Sequence, residues 1–479
     1  MIAIKTKPLG KILPSLKKGG VRTFLIPITL ILISGIGVLV PSTLSTQGRL
    51  AIFAFLLAAI LWSTTSINTA YVALGSVIFL VFTGGISQEQ LYGAFASHVV
   101  WLMIGAFVLG GAVQKTGLAK RLTEIVVARA NTVGSLFWLL TTVLIPLSFL
   151  IPSTSGRAAV TVPIFRSIAI ATDDKRITRA LALLMPTIIL VSTIISFVGA
   201  GSHLVANDLL LQITGQQISF GQWMLYGLPF GVIASYISCW VIMRLFLNKR
   251  RLHQKLEVQQ TSQKPLTSLE IKTLVIVLLT VILWLTQSFH GLEIATVSIF
   301  GAMLLTMPNF GVIKWKDGIN SVSWNLIIFV GAALVLGRSL ISSGAAEWII
   351  GHIFALTDIT TTKSHLVIFL LLTIISLTSH FYITSHTARA AVLVPPLLYL
   401  ATSLNLSPIA VLFLSTLGMD YCLTFPVSSK ALLIYQEMGG EATYKPSDLL
   451  RLSAVLIVVH FALMILFYYT YWNWIGLSL

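Results

Sequence analysis

Charge is what this sequence has least of. Of its 479 residues, 10% are Asp, Glu, Lys or Arg, against about 25% in an average soluble chain. So few charges cannot cover a water-facing surface, which excludes an ordinary soluble domain. Cysteine is nearly absent too. Cys239 and Cys422 are the only two, and both sit in apolar runs, so they read as buried thiols and not as a disulfide framework. Paired metal ligands are lacking, and so is a Gly-x-Ser-x-Gly elbow. His386 follows Ser385 directly, a placement that does not orient a base onto the hydroxyl. These absences argue against a hydrolase, and the chain reads as a non-enzyme. No small-residue cleavage site follows Val40, so Phe24–Val40 reads as an uncleaved first helix and not as a signal peptide.

What is present is apolar. Hydrophobic residues make up 56% of the chain, and the mean hydropathy is +0.93. Runs of about 20 apolar residues, each long enough for a bilayer core, recur along the whole length. Spans are expected near 23–41, 49–66, 67–84, 97–114, 179–213, 221–247, 270–290, 292–310, 322–342, 408–436 and 450–472. The net charge of +16 lies in the gaps between them, where a positive-inside bias places it. Without a soluble domain to carry a basic surface, a nucleic-acid partner is excluded; the partners are the bilayer and a small solute. Counting spans with the N-terminus cytoplasmic puts Lys115–Arg129, Lys175–Arg179, Lys249–Lys264, Lys314–Lys316 and Lys445 inside. The C-terminus falls on the extracellular or periplasmic side. Tyr468, Tyr469, Trp472 and Trp474 read as its interfacial belt. The compact loops suggest a multi-pass protein of a bacterial inner (plasma) membrane.

Two segments, 133–172 and 364–402, are apolar but interrupted in the middle. The interruptions are alike: Ser153–Pro163 reads STSGRAAVTVP and Ser385–Pro395 reads SHTARAAVLVP, with seven of eleven positions identical. Each segment is expected to be a re-entrant hairpin with the motif at its tip. The repeat extends further, since GAFVLGGAVQKTG (Gly105–Gly117) matches GAALVLGRSLISSG (Gly331–Gly344). In the expected topology the two run in opposite directions. The fold class is therefore an all-α polytopic membrane protein with eleven spans plus two hairpins in two inverted repeats, the signature of secondary transporters. The divisions are scaffold helices 1–92, a first repeat 93–247, a cytoplasmic linker 248–268, scaffold helices 269–315 and a second repeat 316–479.

The tips carry the chemistry. A helix starting there points about half a positive charge and unpaired N–H groups at whatever lies ahead. Ser153, Thr154, Ser155 and Arg157, with Ser385, His386, Thr387 and Arg389, form the expected binding set for a small dianion. Arginine pairs well with carboxylate or sulfate, and ionisable groups at bilayer depth usually mark a functional path. The alternative is that both arginines stabilise carbonyls at helix ends.

These motifs resemble the divalent anion–sodium symporter family, which has a Ser-Asn-Thr motif at each of two hairpin tips. The resemblance runs from about Trp101 to Tyr435. It implies a homodimeric elevator carrier of dicarboxylates (malate, succinate, 2-oxoglutarate) or sulfate, with Lys115–Arg129 and Ala345–Ala355 as arms linking mobile and static parts. It also implies helix breaks after each hairpin, at Gly199–Gly201–Ser202–His203 and at Phe425–Ser428–Ser429–Lys430. No cofactor is implied except sodium ions, one of them near Ser153 and Gly199. The chain departs from the family where its asparagines lie at sodium sites, because Thr154 and His386 stand there. The expectation is sodium-independent exchange or proton coupling, with His386 and Lys430 as stand-in charges. His203 reads equally as a structural histidine. Asp208 and Asp420 are intramembrane acids that pair with cations or carry protons. A sodium- or proton-coupled sulfate symporter and a cation/proton antiporter using the two acids remain the alternatives.

Overall fold

A computed structural model describes residues 22–39, 43–256, 265–349, 352, 364–438 and 441–479. Among these, eight helices are long and apolar enough to cross a membrane, and shorter apolar helices accompany them. The chain is a polytopic all-α membrane protein. Its only sheet among the described residues is a two-residue antiparallel pair, Glu437–Met438 with Glu441–Ala442.

The interrupted segments form hairpins. The first climbs through Val133–Leu144 and Leu147–Leu150 and returns as Thr154–Thr172. The second climbs through His365–Thr378 and returns as His386–Ser403. Both returning helices begin within the repeated motif for the same local reason. The Ser153 hydroxyl accepts a hydrogen bond from the Gly156 N–H at 3.2 Å, and the Ser385 hydroxyl accepts one from the Ala388 N–H at 3.3 Å. A serine cap satisfies one of the free donors that every helix start leaves behind.

The long segments after the hairpins are broken. Helix Lys175–Val191 passes through short 3-10 turns to extended Ala200, and Gly201–Thr214 then continues. Pro408–Asp420 likewise gives way to extended and 3-10 backbone before Lys430–Gln436. Gly199 is required at the first break, because a Cβ there would lie 2.4 Å from the Thr193 carbonyl oxygen. The parts are exchanged between halves. Gly201–Thr214 packs on the second hairpin's return helix, and Lys430–Gln436 packs on the first's. Tyr435 bonds across this seam to the Thr161 hydroxyl at 2.6 Å and the Ala158 carbonyl at 3.2 Å.

Loops expected to share the basic side do share one face. Lys115 pairs with Asp317 at 2.7 Å, Arg251 with Asp174 at 2.8 Å, and Arg179 with Asp448 at 3.6 Å. Burial pushes the Asp174 carboxyl up, but the Arg251 hydrogen bond and the N–H groups of Arg176 and Ile177 outweigh it and hold it below the usual range. The linker's start is strapped to the first hairpin by bonds between Val133 and Gln254 and between Leu256 and Asn131; its residues 257–264 lie outside the described residues. Within the first expected arm, Lys115–Arg129, Leu118–Val127 is an amphipathic helix. In the other, 345–349 are helical, and 350–355 apart from His352 fall outside the described residues.

The aromatic belt at the C-terminus is half core. Tyr469 and Trp474 are exposed, but Tyr468 and Trp472 are buried. Trp472 donates to the Tyr226 carbonyl at 3.0 Å and stacks on Phe230, because this last helix packs back onto Phe220–Phe246. Both cysteines are buried free thiols.

Candidate functional site

The two hairpin tips and the two helix breaks meet around one cavity of about 490 Å³. From the first tip come Pro152, Ser153, Thr154 and Ser155; from the second, Thr384, Ser385, His386 and Thr387. The breaks add Ala200 and Gly201, and Val427, Ser428, Ser429 and Lys430. Four helices therefore start at its wall: Thr154–Thr172, Gly201–Thr214, His386–Ser403 and Lys430–Gln436. The last is capped by Ser429, whose hydroxyl accepts from the Ala431 N–H at 3.2 Å.

Two further helix starts complete the wall, and neither was foreseen. Ile67, Asn68 and Thr69 open the helix Thr69–Phe82, and Ser323, Asn325, Leu326 and Phe329 open Trp324–Ser342. The Asn68 side chain accepts from the Ala70 N–H at 2.9 Å. The signal for it was a capping residue directly before an apolar run; nothing local said that this cap faces a cavity. Six helix N-termini border one volume, and the partial positive charge of a helix start favours an anion there. The charged and imidazole side chains of the wall are Lys430, which is exposed, and His386, and no carboxylate lines it among the described residues.

The arginines are placed differently from the expected binding set. Arg157 and Arg389 are fully buried and are absent from the cavity wall. Arg157 Nη2 donates to the Thr193 hydroxyl at 2.9 Å and to the Gly199 carbonyl at 3.1 Å. Arg389 Nη1 donates to the carbonyls of Met419 and Tyr421. Each return helix thus sends a guanidinium, one turn below its tip, onto the oxygens freed where the neighbouring helix breaks. Buried carbonyls need such donors, so the arrangement matches the helix-end alternative. Ser202, His203, Asp208 and Asp420 also lie off the wall. Asp208 accepts from Ser97 and Gln212, remote in contact from Asp420, which pairs with His203 at 2.7 Å.

A sodium ion near Ser153 and Gly199 would share oxygens that already have partners. The Ser153 hydroxyl caps its own helix, and the Gly199 carbonyl is held by a guanidinium. A second cation beside Arg157 would meet a repulsion of about 4 kcal/mol for charges 4 Å apart at a surface-like dielectric.

Known proteins resemble this chain in sequence or in fold. The citrate/succinate antiporter of Escherichia coli K12 is 26% identical over 396 residues, covering 78% of each chain. The sodium-dependent dicarboxylate transporter SdcS of Staphylococcus saprophyticus is 24% identical over 464 residues, covering 88% of this chain and 87% of that one. The crystal structure of the YdaH transporter of Alcanivorax borkumensis superposes with a TM-score of 0.53 at 13% identity, covering 91% of this chain and all of that one; it shares the fold. The family model described as the sodium:sulfate symporter transmembrane region matches residues 21–478. The chain belongs to that family of membrane anion transporters and is not an enzyme.

Proposed function

We propose that the protein exchanges small dicarboxylates of the malate, succinate and 2-oxoglutarate size across the membrane without sodium. The observation that carries this reading is the pair of buried guanidinia at the helix breaks. They are cations that cannot dissociate, unlike a coupling ion. With its cavity empty, the part that moves still holds them, and a net buried charge is costly in a bilayer. A bound dianion offsets that cost. Loaded forms cross readily and empty ones poorly, which is obligatory exchange. A relative bears the name citrate/succinate antiporter, in keeping with this. The cavity volume lies in the range of about 300–1,000 Å³ usual for small-molecule sites. Hydroxyls and helix starts from two separate tips suit the two carboxylates of one guest.

The hairpins and the half-helices Gly201–Thr214 and Lys430–Gln436 would move together as an elevator. The helices Thr69–Phe82 and Trp324–Ser342 would form the static wall, and the amphipathic Leu118–Val127 would be one connecting arm. The acid-free wall speaks against the cation/proton antiporter reading.

The test is uptake of labelled succinate and labelled sulfate into liposomes holding unlabelled anion, with and without sodium. Succinate uptake that needs internal anion and ignores sodium is expected. A requirement for a sodium gradient would refute exchange, and uptake of sulfate alone would refute the dicarboxylate assignment.

A further inference from the structure

Beneath the cavity floor lies a set of ionisable groups that exchange by itself does not use. His203 is fully buried. Its Nδ1 sits 3.1 Å from the Ser196 carbonyl oxygen, and its Nε2 sits 2.7 Å from Asp420 Oδ2. A carbonyl oxygen only accepts, so Nδ1 must carry a hydrogen. A contact of 2.7 Å between the second nitrogen and a carboxylate oxygen also needs a hydrogen between them. The pair therefore holds one proton more than a neutral imidazole beside a bare carboxylate, wherever that proton resides.

The other oxygen of the same carboxylate lies near His386. Asp420 Oδ1 has no hydrogen-bond partner, and His386 Nδ1, 3.8 Å away, has none either. His386 is a cavity-wall residue whose Nε2 meets the Cys422 thiol at 2.9 Å. Two buried, unpartnered, complementary atoms separated by slightly more than a hydrogen bond form a gap that a small shift of the tip would close. Closing it gives an unbroken line from the cavity through His386 and Asp420 to His203.

Two fixed cations beside this line oppose a further proton there until a dianion in the cavity offsets them. Arg157 and Arg389 act on Asp420 from the two return helices. Cys422 and Tyr421 follow it in sequence. His460 shares a small void with Asp420, His380 packs on Tyr421 within electrostatic reach of His386, and His203 lies against the uncharged Trp223. Asp420 is thus the only carboxylate among the described groups that face this line, set against two fixed cations and the four imidazoles of His203, His380, His386 and His460.

We propose that His386, Asp420 and His203 form a proton site wired to the anion cavity, so that a dianion and a proton enter together. A proton from cavity water settles on His386, whose Nδ1–H then donates to Asp420 Oδ1. The proton shared by Asp420 and His203 stays in place, so the site gains one proton and loses none. By linkage the coupling is reciprocal: the proton tightens the anion as much as the anion tightens the proton. The inference rests on the anion-carrier reading and adds a coupling ion to it.

The test uses purified full-length protein in weak buffer with a pH-indicating dye, and succinate as the probe anion. Calorimetry measures binding of the same anion in parallel. Proton uptake on adding succinate is expected within about pH 5–8, where imidazoles titrate. His203→Gln, which lies off the cavity wall, should still bind succinate but move the uptake to higher pH, because Asp420 then faces His386 without a second imidazolium. His386→Asn should take up none. Succinate binding with no proton uptake anywhere in that range would overturn the inference and leave the anion reading standing. Absence of binding by succinate and by sulfate would instead bring down the anion reading. If His203→Gln fails to fold, the wild-type uptake and His386→Asn still decide.

Discussion

Arg157→Met separates a structural arginine from a ligand arginine. Methionine keeps an unbranched buried chain but cannot donate. The change removes two charge-assisted bonds, to Thr193 at 2.9 Å and to Gly199 at 3.1 Å. Each is worth about 1.5–3 kcal/mol, and the Gly199 carbonyl is left buried without a donor. The expected loss is about 3–6 kcal/mol, large beside the roughly 5–15 kcal/mol that holds a typical domain together. Thermal unfolding of the anion-free protein in detergent measures it. A ligand arginine would behave in the opposite way: its removal would leave the anion-free protein as stable as before and raise KM for the anion. An unfolding change under about 1 kcal/mol together with a tenfold rise in KM would refute the assignment of Arg157 to the helix break.

Other substitutions test other links. Ser153→Ala and Ser385→Ala each remove a helix cap at a tip, costing about 1 kcal/mol of stability. Because both line the cavity, each should also weaken anion binding measured by calorimetry; unchanged affinity in both would count against tip recognition. Tyr435→Phe removes the bond across the seam between halves and should cost about 1 kcal/mol in thermal unfolding. The Asp174–Arg251 tie has a pH signature. Its carboxyl is held below its unfolded value, so its contribution is complete above about pH 4, the unfolded carboxylate value, and fades as pH falls through the folded value. The pair is partly exposed, which limits it to about 0.5–1 kcal/mol. Asp174→Asn should remove that acid-side slope from the unfolding curve and lower stability at neutral pH by the same amount, about 0.5–1 kcal/mol.

Much of this was legible in the residues because bilayer physics leaves few options. Apolar runs of spanning length gave the helices, and the polar interruption at Ser153–Gly156, repeated at Ser385–Ala388, gave the hairpin tips. The breaks at Gly199–Gly201 and at Phe425–Lys430 were expected only from the family resemblance, because by apolar length 179–213 and 408–436 each read as one span. The arginines were harder. Their recurrence in one repeat slot marked them as important but could not tell a ligand from a brace, because the carbonyls they hold belong to a different segment. The wall residues Asn68 and Asn325 were missed for a similar reason. Each looks locally like the ordinary start of a helix, and only tertiary packing turns that start toward the cavity. The pairing of His203 with Asp420 joins residues 217 positions apart, a distance no local pattern spans.

The exchanged packing of the half-helices has a consequence for how the protein is made. Gly201–Thr214 has its main packing partner in the return helix His386–Ser403. Chains grow from the N-terminus at about 5–20 residues per second, so the first half-helix enters the membrane well before that partner exists. Its polar break and its buried histidine must wait beside lipid, water or an insertion chaperone until the second hairpin arrives. Truncation after the linker should therefore leave the first half exposed to membrane quality control instead of yielding a stable half-transporter. The two halves become one protein only at the end of synthesis.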